Sequence, residues 1–416
     1  MENPYFDRQL RTIIGVLRHD HPLTVHGTDI ADFRYYVQAA GMAWKKGELD
    51  QLLFVRFVSQ MLATTMDRSM RLNVDSPDYT PWQCGFDVRR FQDELIVTRA
   101  YADRRLQSGD RITKINTASP AEHRRHFQKN FLYATSPERE IWHNVLKMAT
   151  HMEVVHPDGK KEDLPLQRFT APRPPEESWT RALPDGTMLL HIGQLNREDA
   201  LFHLMPLFRD IVSADRLILD LRAASGNSEE ALLPLVPFIL SAPKTMNEAI
   251  GPVSYRTLYT KENVALRLAQ LEPYRDDPTA AALMRELKEK AGSGFQKETF
   301  TLWDDRPQII RPMSRHVAVL IDTWTEGAPE SFALLARREG RVRLVGRPTM
   351  GTLDFADMIA YQISPTAILT YPMSITEQAA CGEGFMDRGV QPDVQVPFTP
   401  EETERDLVLA KALSLL

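Results

Sequence analysis

Apolar residues recur at helical spacing over the first part of the chain. From about Tyr5 to Leu72 they lie three or four positions apart, as at Leu10, Ile13, Ile14 and Leu17 and again at Leu52, Val55, Val58 and Leu62. This spacing puts the apolar side chains on one face of each helix. Turn-forming residues at Pro22 and Gly47 separate the helices. The pattern predicts an amino-terminal helical bundle over residues 1–75.

The hydrophobic period shortens between residues 76 and 170. Alternating segments typical of strands follow one another there, namely GFDVRRF, ELIVTRAY, RITKIN and MEVVHP. Gly109 with Asp110, and PDG at 157–159, predict turns between them. Pro172, Pro174 and Pro175 then cannot continue a helix or a central strand. We predict a small β-rich domain over residues 76–170 and a domain boundary after it.

Apolar segments typical of buried strands alternate with helical patterns from residue 171 to residue 416. The strand segments are TMLLHIGQL, LILDLR, HVAVLID and VRLVG. Strands that alternate with helices indicate an α/β core with a largely parallel sheet, here over residues 171–416. A charged helical pair at about 259–292 is predicted to be an insertion that lies over this core.

Composition narrows the class of protein. The 416 residues carry 50 Lys+Arg against 56 Asp+Glu, a net charge of −6, and 43% of them are hydrophobic. The hydrophobic fraction is that of a folded protein, and the acidic balance excludes a basic surface that follows phosphates. We therefore expect no nucleic-acid partner. No glycine-rich phosphate loop or metal-ligand spacing is present in the sequence, so we expect no cofactor and no metal.

Features that would direct the chain to a membrane or an oxidising compartment are missing from the sequence. Asp7, Arg8 and Arg11 interrupt the first apolar segment, and no later stretch approaches about 18 uninterrupted apolar residues. Cys84 and Cys381 are too few for a disulfide framework. We expect a soluble cytoplasmic protein with no membrane partner.

Several stretches, in the right order along the chain, resemble the C-terminal processing, or tail-specific, serine peptidases, and within them the tricorn and retinoid-binding-protein branch. They are RLILDLRAASGNSEEAL at 216–232, VAVLIDTWTEGAPESFALLARREGRVRLVGRPTMG at 317–351, GVQPDVQV at 389–396, LRHDHP at 17–22 and MLATTMDRSMRL at 61–72. QSGDRITKIN at 107–116 is similar to the core of a PDZ-like module, which in that family receives a peptide end. The resemblance implies an α/β core of the crotonase/ClpP-like kind, a PDZ-like β-rich module and an amino-terminal helical bundle.

The catalytic residues that the resemblance implies are absent. The family motif T-x-S-A-x-E matches Thr325, Ala328 and Glu330 but places Gly327 at the nucleophilic serine. The position of the family's basic histidine holds Ser69, and the position of the alternative lysine holds Thr352. A peptidase needs an activated nucleophile, so ordinary Ser/His or Ser/Lys catalysis is not expected.

Other parts of the implied site do not depend on these side chains. The acidic member of the tricorn-type site falls near Asp387, with a register uncertain by one residue. Gly226, in the turn after LILDLR, and the N–H of Ala328 are the implied oxyanion donors, because backbone donors survive side-chain loss.

Three other residues are alternative nucleophiles. Ser331 lies one helical turn beyond Gly327, Ser225 flanks Gly226, and Cys381 lies in a carboxyl-terminal loop. Each also has an ordinary structural interpretation: Ser331 on a helix surface, Ser225 with Ser228 as caps of the following helix, and Cys381 as a small buried residue. Both interpretations stay open at this point.

The leading hypothesis is a pseudopeptidase that binds an extended peptide or a protein carboxyl terminus and acts as a partner or regulator of an active peptidase or another protein. The alternative is an active hydrolase with a rebuilt nucleophile, or a form inactivated by replacement at Gly327. Ser69 argues against a designed inactivation, because that seldom changes two sites. A third hypothesis is a structural subunit, which predicts a defined homo-oligomer.

Overall fold

The computed structural model describes residues 4–25, 34–65, 67–76, 79–127, 136–195, 200–300, 309–313 and 316–416. Their helices are α1 Pro4–His19, α2 Pro22–Val25, α3 Arg34–Lys45, α4 Gln51–Ala63, α5 Pro120–Phe127, α6 His143–Leu146, α7 Ala200–Ile211, α8 Val236–Ile239, α9 Met246–Ile250, α10 Lys261–Leu271, α11 Pro278–Lys290, α12 Ala328–Glu339, α13 Glu377–Ala380 and α14 Leu407–Leu413. Short 3₁₀ turns occupy Pro137–Arg139, Glu230–Leu235, Glu272–Tyr274 and Pro400–Thr403.

The strands are β1 Arg71–Val74, β2 Phe86–Phe91, β3 Glu94–Ala100, β4 Arg111–Ile115, β5 His151–Val155, β6 Lys161–Pro165, β7 Trp179–Ala182, β8 Met188–His191, β9 Arg216–Asp220, β10 Val253–Tyr259, β11 Gly294–Phe300, β12 His316–Ile321, β13 Arg343–Gly346, β14 Phe355–Ser364, β15 Ala367–Thr376 and β16 Val394–Gln395. The elements belong to two compact units. The first comprises Met1–Pro81, Pro252–Phe300 and Thr352–Met386, and the second comprises Trp82–Gly251, Thr301–Gly351 and Asp387–Leu416. The domain boundaries at 75 and 170 stay predictions.

In the first unit, helices α1 to α4 form where the helical spacing predicted them. Asp50 caps α4 by accepting the Leu53 N–H at 2.7 Å. The helical prediction extended too far, because the segment that begins at Arg71 is strand β1, which pairs antiparallel with β15. The helices bury their apolar faces in one core with β15, whose members include Leu10, Ile13, Leu17, Phe54, Val58, Leu369 and Tyr371.

The first unit also contains an antiparallel sheet that the hydrophobic pattern did not predict. Its order is β1-β15-β10-β11, and β14 pairs with β15 as well. The predicted helical pair is confirmed as α10 and α11, and its residues Val264 and Leu287 are buried in the same core. This unit therefore joins segments that are far apart in sequence through strand pairing.

The second unit contains the predicted β-rich region and the α/β core. Strands β2 to β6 follow one another in an antiparallel sheet with a core of Cys84, Phe86, Leu95, Ile112, Trp142 and Met152. The hairpin predicted at 157–159 joins β5 to β6, with Gly159 at φ 85°. The PDZ-like character of this region stays a prediction.

The α/β core of the second unit is a six-stranded sheet in the order β16-β13-β12-β9-β8-β7. All neighbouring pairs are parallel except β7 with β8, which confirms the mixed α/β class with a largely parallel sheet. Val408 and Ala412 of α14 pack with Leu189, Ile218, Ala318 and Leu320. The carboxyl ends of β9 and β12 lead into the turns around Gly226 and Gly327, and sites of open α/β sheets lie at such ends.

Candidate active-site region

The turn at Gly327, in the second unit, has a backbone that only glycine adopts readily. Gly327 precedes α12 with φ 70° and ψ −127°. A Cβ placed on it would lie 2.4 Å from the Gly226 carbonyl oxygen and 3.3 Å from Asn227 Oδ1. Real Cβ atoms do not approach a backbone oxygen so closely. In this conformation the nucleophile position has no room for any side chain.

The implied oxyanion donor at Ala328 is already used. The Ala328 N–H donates to the Gly226 carbonyl oxygen at 2.7 Å. A substrate oxyanion at this turn would have to compete with that carbonyl for the same proton. The oxyanion role of Gly226 and Ala328 stays a prediction, and it requires this turn to open.

Glu330, in the first turn of α12, is a buried carboxylate. It accepts hydrogen bonds from Thr349 Oγ1 and, at 2.6 Å, from the Gly351 N–H. Thr349 Oγ1 also accepts the Val390 N–H at 2.7 Å. The fully buried Arg139 donates to the carbonyl oxygens of Thr349 and Met350, at 3.2 and 2.6 Å. This network fixes the loop after β13 against the first turn of α12.

Thr349→Val should lower the free energy of unfolding by about 2 kcal/mol, because it leaves two buried groups short of a partner. The groups are the Glu330 carboxylate and the Val390 N–H. Urea unfolding measures the loss. Thr180→Val is the control, since its hydroxyl bonds to Asp210 at 2.7 Å in an exposed position and should change stability by less than about 0.5 kcal/mol. Equal losses in the two variants would refute the network's role.

A second buried carboxylate, Asp322, directly follows strand β12 of the same unit. It binds Arg89 Nη2 at 2.7 Å and Arg347 Nη1 at 3.1 Å, and it accepts the Thr323 N–H at 2.5 Å. Burial alone would raise the pKa of Asp322, but the two guanidinium charges outweigh it and hold the pKa below its usual value. Arg347 also pairs with Glu402, whose pKa is raised by burial.

Stability should fall on acidification as Asp322 takes up a proton. The pKa of Asp322 is lower in the folded protein than its ordinary value of 3.8, which applies to the unfolded chain. The stability that its ionised form contributes is therefore fully present above pH 3.8 and is lost as the pH falls through the folded pKa. Urea midpoints from about pH 6 down to about pH 2 test this. Asp322→Asn should flatten the acid limb of the curve. Parallel curves for the two proteins would show that Asp322 does not carry the effect.

The histidine position, Ser69, lies in the first unit within a buried polar group. Its hydroxyl donates to Asp67 Oδ1 at 2.5 Å, and its N–H donates to the same oxygen at 2.7 Å. The other oxygen of Asp67 lies 2.9 Å from His21 Nε2, and both of those side chains are fully buried. The carboxylate lies between the serine and the histidine, so His21 cannot take the Ser69 proton directly. This arrangement is not a nucleophile–base pair.

Within the described part of the chain, the alternative nucleophiles have no histidine partner. Ser331 and Ser225 are half-buried and Cys381 is exposed, so the expectation that Cys381 is buried was wrong. Cys381 Sγ lies 3.9 Å from Arg256 Nη2. Over the described ranges, no histidine hydrogen-bonds any of the three side chains. They stay candidates only for chemistry that needs no neighbouring histidine.

The remaining sequence predictions fall outside any described catalytic arrangement. Thr352 begins the third segment of the first unit, and Asp387 is exposed in the second. The predicted serine cap is wrong, because the turn that starts at Glu230 has Glu229 at its amino end and no side-chain cap. The described residues hold no cluster of three His, Cys, Asp or Glu side chains that could bind a metal.

Two buried polar groups, one in each unit, were not apparent from the sequence. In the sequence, Glu330 is only the last residue of the motif T-x-S-A-x-E. In the structure it is buried and accepts a hydrogen bond from Thr349, which gives it a structural role. His21 and Asp67 lie within LRHDHP and MLATTMDRSMRL, but nothing in either segment indicates that they pair. A charged or polar residue in an otherwise apolar stretch was the available signal.

Comparison with known proteins identifies a family for the chain and solved structures with a similar fold. The model of peptidase family S41 matches residues 189–396, half of the chain. Mature CPAF in complex with lactacystin is similar in structure at 12% identity, over 99% of this chain and 97% of that one, with a TM-score of 0.63. Mature CPAF alone is 12% identical over 98% of this chain and 96% of that one, with a TM-score of 0.63. The photosystem II D1 C-terminal processing protease is 14% identical over 96% of this chain and 94% of that one, with a TM-score of 0.42. No curated protein matches the chain.

Proposed function

The chain belongs to peptidase family S41, and from that premise we propose that it is a catalytically inactive member that binds an extended peptide segment or a protein carboxyl terminus. The observation that carries the proposal is the turn at Gly327, where a Cβ would lie 2.4 Å from the Gly226 oxygen. A chain that folds its nucleophile turn around a glycine holds no attacking atom at that place.

The remaining chemistry supports inactivity. Ser69 donates its hydroxyl to Asp67, and the Ala328 N–H donates to Gly226. Loss of nucleophile and base removes most of the rate enhancement of a serine peptidase and leaves only what binding and oxyanion donors supply. Here one implied oxyanion donor is engaged as well, so even residual turnover is not expected.

Peptide binding needs none of these groups. An extended peptide can add to the edge of a sheet through main-chain hydrogen bonds. Strand β2 is an edge of the sheet β2-β3-β4-β5-β6 and has one strand neighbour, β3, among the described residues. A protein that binds segments this way would act as a partner or regulator of an active peptidase or another protein, and we place it in the cytoplasm. No helix within the described ranges has the length and hydropathy to cross a bilayer.

A fluorophosphonate labelling assay, run together with cleavage of an unstructured protein, tests inactivity. The native chain should show neither labelling nor cleavage. Labelling of a single residue in the native chain would overturn the proposal and would name the true nucleophile. Iodoacetamide, followed by cleavage assays on the modified protein, checks Cys381 separately. Calorimetry against a peptide library tests binding, and no saturable binding would count against that half of the proposal.

A further inference from the structure

A trough in the first unit runs along helix α1 and has one wall from helix α3. It extends from Asp7 to His19 of α1, and Val37 of α3 lines it from the side. Since each residue of a helix adds about 1.5 Å, the trough is about 18 Å long. Its volume is about 430 Å³. Sites for small molecules usually measure about 300–1,000 Å³, so the trough has room for one elongated organic molecule.

The middle of the trough is apolar and has a recess at Gly15. Leu10, Ile14 and Val37 supply the apolar side chains around it. A glycine inside a helix costs about 1 kcal/mol relative to alanine. A Cβ on Gly15 would meet no heavy atom within 4 Å beyond its chain neighbours and its own helix backbone, so packing does not require a glycine there. The missing side chain leaves space in which the apolar body of a ligand can lie.

One end of the trough carries cations. Arg18 and His19, in the last turn of α1, line this end. No hydrogen bond or ion pair joins either of these side chains to another residue in the described part of the chain. The neighbouring acid, Asp20, is buried and accepts a hydrogen bond from Thr260 Oγ1 at 2.6 Å. The Arg18 guanidinium can therefore bind an added carboxylate in the forked geometry that arginine favours.

We infer that this trough binds a free amphipathic carboxylate with a single apolar chain, the chain lying over Gly15 and the acid group on Arg18. The order of the groups along α1 carries the inference, because the apolar recess leads directly to the cations. At the other end of the trough, Asp7 binds Arg11 at 2.8 Å, so the acid there is already neutralised and does not repel the ligand. The site is independent of the proposed peptide binding.

Three probes with equal chains test the chemistry by titration calorimetry on the full chain, below their micelle concentrations. Decanoate should bind at one molecule per chain, and decanol and decylamine should bind about tenfold more weakly, because neither carries an acid for Arg18. Equal binding of decylamine would overturn the inference. No saturable binding of decanoate would also overturn it and would mean that the cations only balance the dipole of α1. Protein that sediments with phosphatidylglycerol vesicles but does not bind decanoate would point to a membrane surface instead.

Two pairs of variants place the site. Gly15→Leu fills the recess and should weaken decanoate binding about tenfold, whereas Gly41→Leu should not. Gly41 lies within α3, its Cβ would also have open space, and it does not line the trough. Leucine favours helix over glycine, so both variants should fold. Arg18→Gln should weaken binding by a similar factor, and Arg8→Gln, on an exposed arginine of α1 outside the trough, should leave it unchanged. Equal effects within either pair would mean that decanoate binds elsewhere and would overturn the inference.

Discussion

Asp322→Ala should lower the free energy of unfolding by about 3–5 kcal/mol, the usual cost of breaking a buried ion pair from one side. Arg347, with a side chain 2% exposed, and Arg89, 17% exposed, would lose their shared carboxylate. Glu402 would still pair with Arg347 and would offset part of that loss. The Thr323 N–H would also lose its acceptor. Chemical denaturation with urea measures the change.

An exposed pair in the same unit is the matched control. Glu94 binds Arg111 at 3.1 Å with side chains 31% and 47% exposed. Glu94→Ala should cost less than about 1 kcal/mol, because water replaces the lost partner and salt screens the charges. If Asp322→Ala were no more destabilising than Glu94→Ala, the buried pairs of Asp322 with Arg89 and Arg347 would add no more to stability than an exposed pair does.

Gly327→Ser, which puts a serine at the position that the motif T-x-S-A-x-E implies for the nucleophile, should destabilise the protein and should not create a peptidase. A non-glycine residue at φ 70° costs about 1–3 kcal/mol. The Cβ would also meet the Gly226 oxygen at 2.4 Å, and such overpacking typically adds about 1–3 kcal/mol. The same result is expected for the double variant with Ser69→His, because restoring a base does not move the backbone of the turn.

Gly340, at the other end of α12, measures the cost of an ordinary left-handed residue without a clash. Its φ is 66° and its ψ is 4°, and a Cβ placed on it would meet no heavy atom within 4 Å beyond its own chain neighbours, so Gly340→Ser should show only that cost. Gly327→Ser should cost more, because ψ −127° lies outside the left-handed α region and the Cβ also meets the Gly226 oxygen. Denaturation of both variants, with fluorophosphonate labelling of the Gly327→Ser/Ser69→His protein, checks the prediction. Labelling at position 327 would mean that the turn rearranges easily to a catalytic geometry, and the glycine-only backbone would then not support the proposed inactivity.

Local sequence was enough to predict the elements whose apolar residues repeat with a clear period. Helices α1 and α4, strands β3 and β9 and the pair α10 and α11 were predicted in this way. Each of these segments carries its own pattern of buried and exposed positions, because the period follows from the geometry of the element itself. The absence of a serine at Gly327 and of a histidine at Ser69 is likewise a property of the sequence, since it depends only on residue type.

The sequence did not predict which distant segments pair as strands. Strand β15 pairs with β1, β10 and β14, and most of its residues are buried. Its sequence therefore shows no clear alternation of apolar and polar residues. Arg71 and Leu72 continued a helical pattern in the sequence, yet they form β1 because β15 offers hydrogen-bond partners. Tertiary pairing overrides local propensity in such cases.

The sequence by itself determined the family resemblance, the α/β class and the residue types at the positions that the resemblance assigns to the nucleophile and the base, because motif order, hydrophobic period and residue type are all local properties. Only the tertiary structure decided that Gly327 has a positive φ and packs against the Gly226 carbonyl oxygen, that Asp322 is held between Arg89 and Arg347, and that β2 is an edge strand of its sheet. Each of these depends on groups far apart in the chain that folding brings within hydrogen-bonding or van der Waals distance.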